Sequence, residues 1–384
     1  MANNNALLGA AKTSKKDEFY TQLSDIEKEL VHYRDYFRDK VVFCNCDDPY
    51  ESNFFKYFAL NFNALGLKKL IATCYDGSPI AQQELPLFPN DDNEPKRKAY
   101  KVEISEVPDL DGNGSTDLTD VKILLKSSDH NVKSELMGNG DFRSPECVEL
   151  LKQADIVATN PPFSLFREFI ALMIKNDKDF IVIGNTNSLT YKEIFPLIME
   201  DKIRTGYTNF NVGMFFFIPD KYENFHHYQG GRKVARVASS CWLTTMPVSK
   251  HNEEIICIKH YSEAEYPKYD NYDAIEVGNV NDIPDDYDGV MGVPITYVNK
   301  HNPKQFEILG STQRGCHDLV PDTKKYDDYW ECKPNGERTG SSGGKTNENG
   351  NLLKNDHIHN YFENKEGRQV QSAYNRIFIR RIKH

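Results

Sequence analysis

Short apolar runs alternate with segments of helical apolar spacing through the first part of the chain. Apolar runs bounded by turn residues are typical of buried strands, and apolar residues recurring about every three or four positions are typical of amphipathic helices. The pattern predicts an α/β fold with a doubly wound mixed sheet and an antiparallel edge, in which the last two strands form a long hairpin. About seven strands are expected, at residues 41–47, 69–75, 100–104, 154–158, 178–184, 213–219 and 240–246.

The pattern changes after residue 246. Helical spacing fades, and Tyr, Asp, Asn, Pro and Gly dominate. Residues 333–352 are rich in glycine and serine, which predicts a loop without regular structure, and residues 378–382 predict a basic terminal strand. Because loop-rich regions commonly carry specificity, we expect a catalytic domain over residues 1–246 and a target-recognition region over residues 247–384.

Composition narrows the classes of function. The 384 residues carry a net charge of −10, which argues against nonspecific nucleic-acid binding but allows specific binding through local basic patches. No apolar run approaches transmembrane length and no secretory signal pattern is present, so a cytoplasmic location without membrane contact is expected. The eight cysteines are scattered without a C-x-x-C pair, which favours reduced thiols over disulfides or zinc.

The most informative turn is Asn160-Pro161-Pro162-Phe163, between a predicted strand and a predicted helix. Consecutive prolines fix φ and remove backbone donors, and open α/β sheets bind ligands where their strands end. The Asn160 oxygen and the Pro161 carbonyl can accept both hydrogens of an exocyclic amine, while Phe163 stacks on its ring. This arrangement predicts methyl transfer from a sulfonium donor to a heteroaromatic amine. The alternative is a structural turn with a core phenylalanine.

Acidic residues upstream suggest a nucleoside-binding edge. Asp47 follows the first predicted strand and suits an ammonium group, and Asp76 follows the second and suits ribose hydroxyls. Asp141 can accept from an exocyclic amine while Phe142 stacks on the same ring, which suits adenine. Each position alone is equally explained by turn chemistry, since carboxylates commonly cap such turns.

Residues 109–120 have the ligand spacing of an EF-hand calcium loop, with Asp instead of Glu at the last position. A helix is predicted after the loop, but a strand precedes it, so the pattern looks like a half-hand within an insertion over residues 105–130. The alternative is an acidic surface turn. We expect a structural calcium ion, with the ligands Asp109, Asp111, Asn113, Ser115, Asp117 and Asp120.

The chain resembles the EcoRI-type adenine-specific DNA methyltransferases over nearly its whole length. The turn Asn160-Pro161-Pro162-Phe163, called the catalytic turn below, also occurs by itself in methyltransferases that act on RNA bases and on protein glutamine. The match of all the segments together is specific to this family. The segments that carry the resemblance are residues 17–21, 44–49, 52–58, 70–75, 138–143, 160–168, 266–275 and 289–296.

The resemblance implies a Rossmann-like S-adenosylmethionine-dependent methyltransferase fold, with adenine in duplex DNA as the target. It also implies roles for residues of this chain. Asp47 would hold the methionine part of the donor, Asp76 its ribose, and Asp141 with Phe142 its adenine, while the catalytic turn would hold a flipped target base. The donor pocket would further include Phe19, Tyr20, Thr21 and Asn45.

The resemblance also implies partners, and it leaves alternative functions to be considered. A cognate restriction endonuclease sharing the site is one implied partner, and an orphan methylase is the other possibility. No general base need act first, because the amine proton becomes acidic only after transfer, and no catalytic metal is expected. The segment 44–48 lacks the glycine-rich turn usual in methyltransferases, and residues 105–130 and 322–370 look like insertions, so the recognition sequence does not carry over. The rivals are a methyltransferase of the same fold acting on RNA adenine or protein glutamine, and a non-catalytic DNA-binding relative.

Overall fold

The computed structural model describes residues 19–46, 48–75, 99–126, 133–218, 220, 222–313, 316, 318–353 and 358–383. The chain divides into two compact units. The first comprises the described residues of Met1–Thr186 with Thr205–Pro247, and the second comprises those of Asn187–Arg204 with Val248–His384. Across the described ranges, every helix is too short or too polar to cross a membrane.

Short helices flank the sheets of the first unit. The side chains of Ser52 and Ser144 accept from Phe55 N and Cys147 N and thereby cap two of these helices. The helices are α1 (Leu23–Leu30), which continues as a 3-10 helix (Val31–Phe37), α2 (Asn53–Leu60), α3 (Phe62–Leu65), α4 (Leu118–Lys126), α5 (Pro145–Gln153) and, after a 3-10 turn (Phe163–Leu165), α6 (Phe166–Lys175).

The strands up to the end of the first unit are β1 (Tyr20–Thr21), β2 (Val41–Cys44), β3 (Lys69–Cys74), β4 (Tyr100–Ile104), β5 (Lys133–Glu135), β6 (Ile156–Thr159), β7 (Asp179–Asn185), β8 (Arg204–Thr205), β9 (Met214–Ile218), β10 (His227–Gln229), β11 (Arg232–Val237) and β12 (Ser240–Thr244). Eight of them form a large sheet in the order β5-β4-β3-β2-β6-β7-β12-β8. Its centre, β3-β2-β6-β7, is parallel, and β4 and β12 run antiparallel to β3 and β7. The prediction of a mixed α/β sheet is therefore confirmed.

A second, four-stranded antiparallel sheet has the order β1-β9-β11-β10. The predicted long hairpin between residues 213–219 and 240–246 is wrong, because β9 pairs with β1 and β11 whereas β12 pairs with β7 in the large sheet. The polar stretch between them forms two strands of its own. They turn at Gly230 and Gly231, both at positive φ (55° and 79°), as a tight hairpin turn requires.

The second unit is built from short strands in two sheets, ordered β13-β14-β21-β15 and β17-β16-β19-β20-β18. Its α-helix is α7 (Phe195–Met199), and 3-10 turns occur at Thr186–Thr190 (beginning at the last residue of a first-unit segment), Ser249–Asn252, Val280–Asp282, Ile295–Lys300 and Gly343–Glu348. The strands are β13 (Ile275–Glu276), β14 (Met291–Pro294), β15 (Phe306–Ser311), β16 (Trp330–Cys332), β17 (Arg338–Ser342), β18 (Asn351–Leu353), β19 (Tyr361–Glu363), β20 (Gln369–Ser372) and β21 (Arg376–Arg381).

The glycine- and serine-rich segment 333–352 is not the irregular loop that composition predicts. It contains β17 and a 3-10 turn. At Gly343 an added Cβ would stand 2.2 Å from the Tyr326 carbonyl oxygen, so the small residue permits close packing against that backbone. The Thr346 hydroxyl donates to Asn351 Oδ1 at 2.6 Å within the same packed region. The predicted terminal strand is confirmed as β21.

Candidate active site

The catalytic turn predicted from sequence begins where β6 ends. Asn160 is 9% exposed, and its Nδ2 donates to the Phe19 backbone carbonyl at 2.5 Å. A carbonyl oxygen can only accept, so the nitrogen arm of the carboxamide must face Phe19 and the oxygen arm must face away. The contact therefore fixes Asn160 in one orientation, with Oδ1 buried at the strand end.

Aromatic rings surround Phe163. Its ring centroid lies 5.9 Å from that of Phe19 and 6.5 Å from that of Phe216. Phe19 also contacts Phe216 at 5.8 Å and Tyr222 at 6.4 Å. Such a neutral aromatic surface suits a flat uncharged ring, because ring faces stack and no charge has to be desolvated.

Two segments far apart in sequence bring these rings to the catalytic turn. In the small sheet, Tyr20 is opposite Phe217 and Thr21 is opposite Phe216. The Thr21 carbonyl accepts from Asn53 Nδ2 at 2.7 Å, which ties β1 to the start of α2. The predicted donor-pocket residues Phe19, Tyr20 and Thr21 are thus buried in one strand segment beside Asn160.

The ends of β2 and β3 carry polar groups. Asn45 is buried, and its carbonyl accepts from Thr73 Oγ1 at 3.5 Å. Asp48, which the sequence did not single out, is buried and accepts from the Tyr100 hydroxyl at 2.8 Å and from Cys74 Sγ at 3.2 Å. Burial raises the pKa of Tyr100, and the nearby Asp48 carboxylate raises it further, so the hydroxyl keeps its proton and donates.

The loop before α5 crosses the end of β3. Gly140 has φ +77°, and an added Cβ would stand 2.3 Å from the Cys74 carbonyl oxygen, so only glycine fits this approach. Asp141 accepts from Arg143 at 2.9 Å (Nε) and 2.7 Å (Nη2), and these hydrogen bonds lower the pKa of the Asp141 carboxyl. Phe142 is buried and packs edge-on against Phe169 at 5.3 Å.

Asp47 and Asp76, the expected ligands of the methionine part and the ribose, lie outside the described residues. Their roles stay predictions.

The calcium-like loop brings part of its predicted ligand set together. Carboxylate oxygens of Asp109, Asp111 and Asp120 lie within 4.8 Å of one another. Asp109 also accepts from the Gly112 and Gly114 amides at 2.7 and 2.8 Å. The other three predicted ligands are joined to one another and to Asp111 by hydrogen bonds that involve Asn113, Ser115 and Asp117.

Two buried polar atoms near β1 and α2 have no hydrogen-bond partner among the described residues, namely Thr21 Oγ1 and Glu51 Oε1. An unsatisfied buried polar atom is costly, so each such atom calls for a partner such as a water, an ion or a ligand. The donor set of a hydroxyl and a carboxylate fits the amino-acid part of S-adenosylmethionine. Glu51 could not be singled out from its sequence position, because acidic residues are common at the start of a helix.

Comparison with known proteins identifies the family of the chain. A family model described as the adenine-specific methyltransferase EcoRI matches residues 7–382. The chain is 46% identical over 317 residues to the Type II methyltransferase M.EcoRI of Escherichia coli, covering 80% of this chain and 90% of that protein. It is 36% identical over 316 residues to the Type II methyltransferase M.MpnI of Mycoplasma pneumoniae, covering 78% of this chain and 83% of that protein.

The Type II methyltransferase M.MgeORF184P of Mycoplasma genitalium is also 36% identical, over 307 residues that cover 78% of this chain and 84% of that protein. No solved structure matches the chain significantly. Because the family model spans nearly all residues and one relative is close to half identical, this chain belongs to the EcoRI-type adenine-specific DNA methyltransferase family.

Proposed function

We propose that this enzyme transfers the methyl group of S-adenosylmethionine to the exocyclic amine of one adenine, flipped out of a specific site in duplex DNA. The observation that carries the proposal is the bond from Asn160 Nδ2 to the Phe19 carbonyl beside the Phe163 ring. This bond turns Asn160 Oδ1 away from Phe19, an orientation in which it can accept from a target amine, and Pro161 offers a backbone carbonyl next to it.

The chemistry needs these acceptors because the lone pair of the adenine amine is delocalised into its ring. Asn160 Oδ1 and the Pro161 carbonyl accept its two hydrogens and favour tetrahedral geometry at nitrogen, while Phe163 stacks on the ring. Bound S-adenosylmethionine supplies a methyl group on a cationic sulfur. The new N–C bond forms as the C–S bond breaks, S-adenosylhomocysteine leaves with the electron pair, and the amine then loses a proton to solvent.

The fold supports a Rossmann-like methyltransferase arrangement for the donor. The four parallel strands β3-β2-β6-β7 end on one edge of the sheet, which is where open α/β sheets bind ligands. Asn45, Asp141 and the segment with Phe19, Tyr20 and Thr21 belong to elements at that edge. Asp141 Oδ1 accepts from both the backbone N–H and Nε of Arg143, whereas Oδ2 accepts from Nη2, so Oδ2 keeps a lone pair that can accept from the donor's adenine amine.

Local positive charge in the small sheet supports a DNA substrate despite the net charge of −10. Lys233 is opposite Ile218 in the β11–β9 ladder, which places it on the same face as Phe216. Tyr228, opposite Lys233, is 58% exposed, and its ring lies 4.7 Å from that of Phe225. Aromatic and basic groups on one face suit a partly unstacked nucleic-acid strand.

Modification-aware sequencing of DNA from cells that express the chain tests the proposal. Methylated adenine at one recurrent sequence is expected for the wild type, and none for Asn160→Ala. Transfer of labelled methyl to RNA or to protein glutamine, with none to DNA, would replace the proposal with one of its rivals. If the chain binds DNA but neither binds S-adenosylmethionine nor methylates the DNA, it would be a non-catalytic relative.

Two contextual proposals accompany this function. The Type II names of the relatives favour a cytoplasmic restriction–modification system with a cognate endonuclease, over an orphan methylase. Cleavage of unmodified DNA at the same sequence in lysates of the source cells is expected, and an uncleaved site would favour the orphan.

A structural calcium ion in the loop 109–120 is proposed from the ligand spacing and the convergence of Asp109, Asp111 and Asp120. Calorimetric titration is expected to show one calcium ion bound per chain, and Asp111→Ala is expected to lose that uptake. Equal heats for the two proteins would remove the site. Methylation without added calcium is expected to persist, since no catalytic role for the ion is proposed.

A further inference from the structure

Glu51 stands out among the acidic residues of the first unit. It is 4% exposed, precedes the helix cap Ser52 of α2, and its Oε1 has no hydrogen-bond partner among the described residues. Burial raises the pKa of Glu51, since a carboxylate loses its hydration there. Folding therefore buries this carboxyl group while the described residues leave one of its oxygens without a hydrogen bond.

The cations near Glu51 do not satisfy that oxygen. The Lys56 ammonium donates to the Glu51 backbone carbonyl at 3.1 Å rather than to the carboxylate. Arg232 lies 3.7 Å from Glu51 Oε2, which is too far for a hydrogen bond, and its guanidinium stacks over the Phe217 ring at 4.4 Å. The two cations therefore lie near the Glu51 carboxylate, but neither donates a hydrogen bond to Oε1.

The surroundings connect Glu51 to the donor side of the active site. Asn53, two residues later, donates to the Thr21 carbonyl at 2.7 Å. Thr21 Oγ1 is also buried without a partner among the described residues, and Thr21 lies two residues after Phe19, whose carbonyl accepts from Asn160. The Asn53–Thr21 bond therefore links the start of α2, with Glu51 just before it, to the strand beside the catalytic turn.

We propose that Glu51 binds the α-ammonium group of the donor's amino-acid end, with the Thr21 hydroxyl donating to the carboxylate of the same zwitterion. The inference rests on the proposed function and deepens it, because it assigns the ammonium to Glu51 rather than to Asp47. A zwitterion supplies both missing partners at once: a cation for Glu51 Oε1 and an acceptor for Thr21 Oγ1. Lys56 and Arg232 balance the charge around it.

Two thioethers separate this role from general damage to the pocket. S-adenosylhomocysteine carries the amino-acid end, and 5′-methylthioadenosine lacks it. Glu51→Gln is expected to weaken binding of S-adenosylhomocysteine in calorimetry by about 10- to 100-fold, because an ionic hydrogen bond is lost, and to change methylthioadenosine binding less than about twofold. Equal weakening of both ligands, or no weakening of either, would overturn the inference.

Thermal unfolding distinguishes a ligand role from a structural one. Without ligand, Glu51→Gln is expected to leave the melting temperature unchanged or to raise it, since it removes an unsatisfied buried carboxylate. The rise in melting temperature that saturating S-adenosylhomocysteine produces in the wild type is expected to shrink in the variant. A fall in the ligand-free melting temperature would assign Glu51 to the fold and contradict the inference.

Two matched variants complete the test. Glu103→Gln removes a carboxylate of the same unit that is ion-paired with Lys69 at 2.5 Å, and it is expected to bind both thioethers as the wild type does. Asp47→Asn measures the competing assignment, and loss confined to that variant would overturn the role of Glu51. In DNA methylation, Glu51→Gln is expected to raise the KM for the donor with a much smaller change in kcat. If the wild-type enzyme itself methylates no DNA, the proposed function would be rejected, whatever Glu51 binds.

Discussion

Glu51 in the first unit and Glu276 in the second are both buried glutamates, and they differ in what surrounds their oxygens. Glu276 accepts from Arg376 Nε at 3.0 Å and from the Tyr269 hydroxyl. Arg376 Nη2 adds a third donor at 2.5 Å. Glu51 Oε2 lies 3.7 Å from Arg232 without a hydrogen bond to it, and Glu51 Oε1 has no hydrogen-bond partner among the described residues.

The difference separates two uses of buried charge. In the second unit the ion pair joins β13 to β21, so these two strands supply each other's partners at this position. In the first unit Glu51 Oε1 and Thr21 Oγ1 are buried without a hydrogen-bond partner among the described residues, and we propose that the donor supplies it. Stability is therefore expected to depend on Glu276, and donor binding on Glu51.

The largest expected effect is on the stability of the second unit. Glu276→Gln should destabilise it by about 3 kcal/mol, because Arg376 then keeps a buried charge without its counter-ion. The chain has two tryptophans, Trp242 in the first unit and Trp330 in the second, so Trp242→Phe leaves one fluorescent reporter of the second unit in urea unfolding.

The control for that measurement lies in the same sheet. Glu307 pairs with Arg380 at 2.7 Å, with both side chains roughly half exposed, and Glu307→Gln should change stability by less than about 0.5 kcal/mol. If the two variants unfold alike, burial of Glu276 does not explain the fold of this unit and the comparison with Glu51 fails.

A buried histidine sharpens the comparison through pH. Burial lowers the pKa of His301 to about 4, and the nearby His251 contributes. Above about pH 6.5 both states carry a neutral imidazole. As the pH falls from there towards 4, the unfolded chain takes up the proton first, so stability should fall by up to about 3 kcal/mol.

Urea unfolding at several pH values, followed through Trp330, measures that slope. His301→Gln removes the titrating group but keeps a side chain able to bond the Tyr297 hydroxyl, which lies 2.9 Å from His301 Nδ1. The variant should lose most of the slope between pH 6.5 and 4. An identical slope in both proteins would show that other groups control the acid sensitivity.

The smallest expected effect concerns ring stacking in the first unit. Phe163→Ala should reduce methylation of duplex DNA by about 10- to 100-fold, since a base–aromatic stack is worth about 1–3 kcal/mol. Phe163→Tyr keeps the ring and should retain most of the rate. Phe163 is half-buried beside Phe19 and Phe216, so a rate in Phe163→Ala equal to that of the wild type would mean that the ring only packs against them.

The sequence predicted the centre of the large sheet because β2, β3, β6 and β7 are apolar runs buried on both faces. It also predicted the turn that carries Asn160 and Phe163, since the preceding strand and the two prolines define that turn locally. It did not predict the partners of that turn. β1 has two residues, which are too few to show an alternating pattern of apolar and polar positions. Its partner β9 is also far away in the sequence, so local patterns cannot reveal the pairing.

The second unit was less predictable for a different reason. Its strands are mostly two to six residues long and their buried groups include polar side chains, so apolar alternation is weak. Composition was also misleading at Gly343, where the missing side chain permits close packing rather than flexibility. Glu51 could not be recognised because its missing hydrogen-bond partner is a property of the folded pocket alone.

Single-turnover transfer of labelled methyl to DNA by Asn160→Ala, at saturating donor, tests the central claim most directly. Because the proposed mechanism has Asn160 Oδ1 accept from the target amine, the rate should fall by at least about 100- to 1000-fold while S-adenosylhomocysteine binds within a few-fold of the wild type. Asn160→Asp, which keeps an acceptor but loses the bond to the Phe19 carbonyl, should have an intermediate rate. Undiminished transfer by Asn160→Ala, with donor binding intact, would contradict the account.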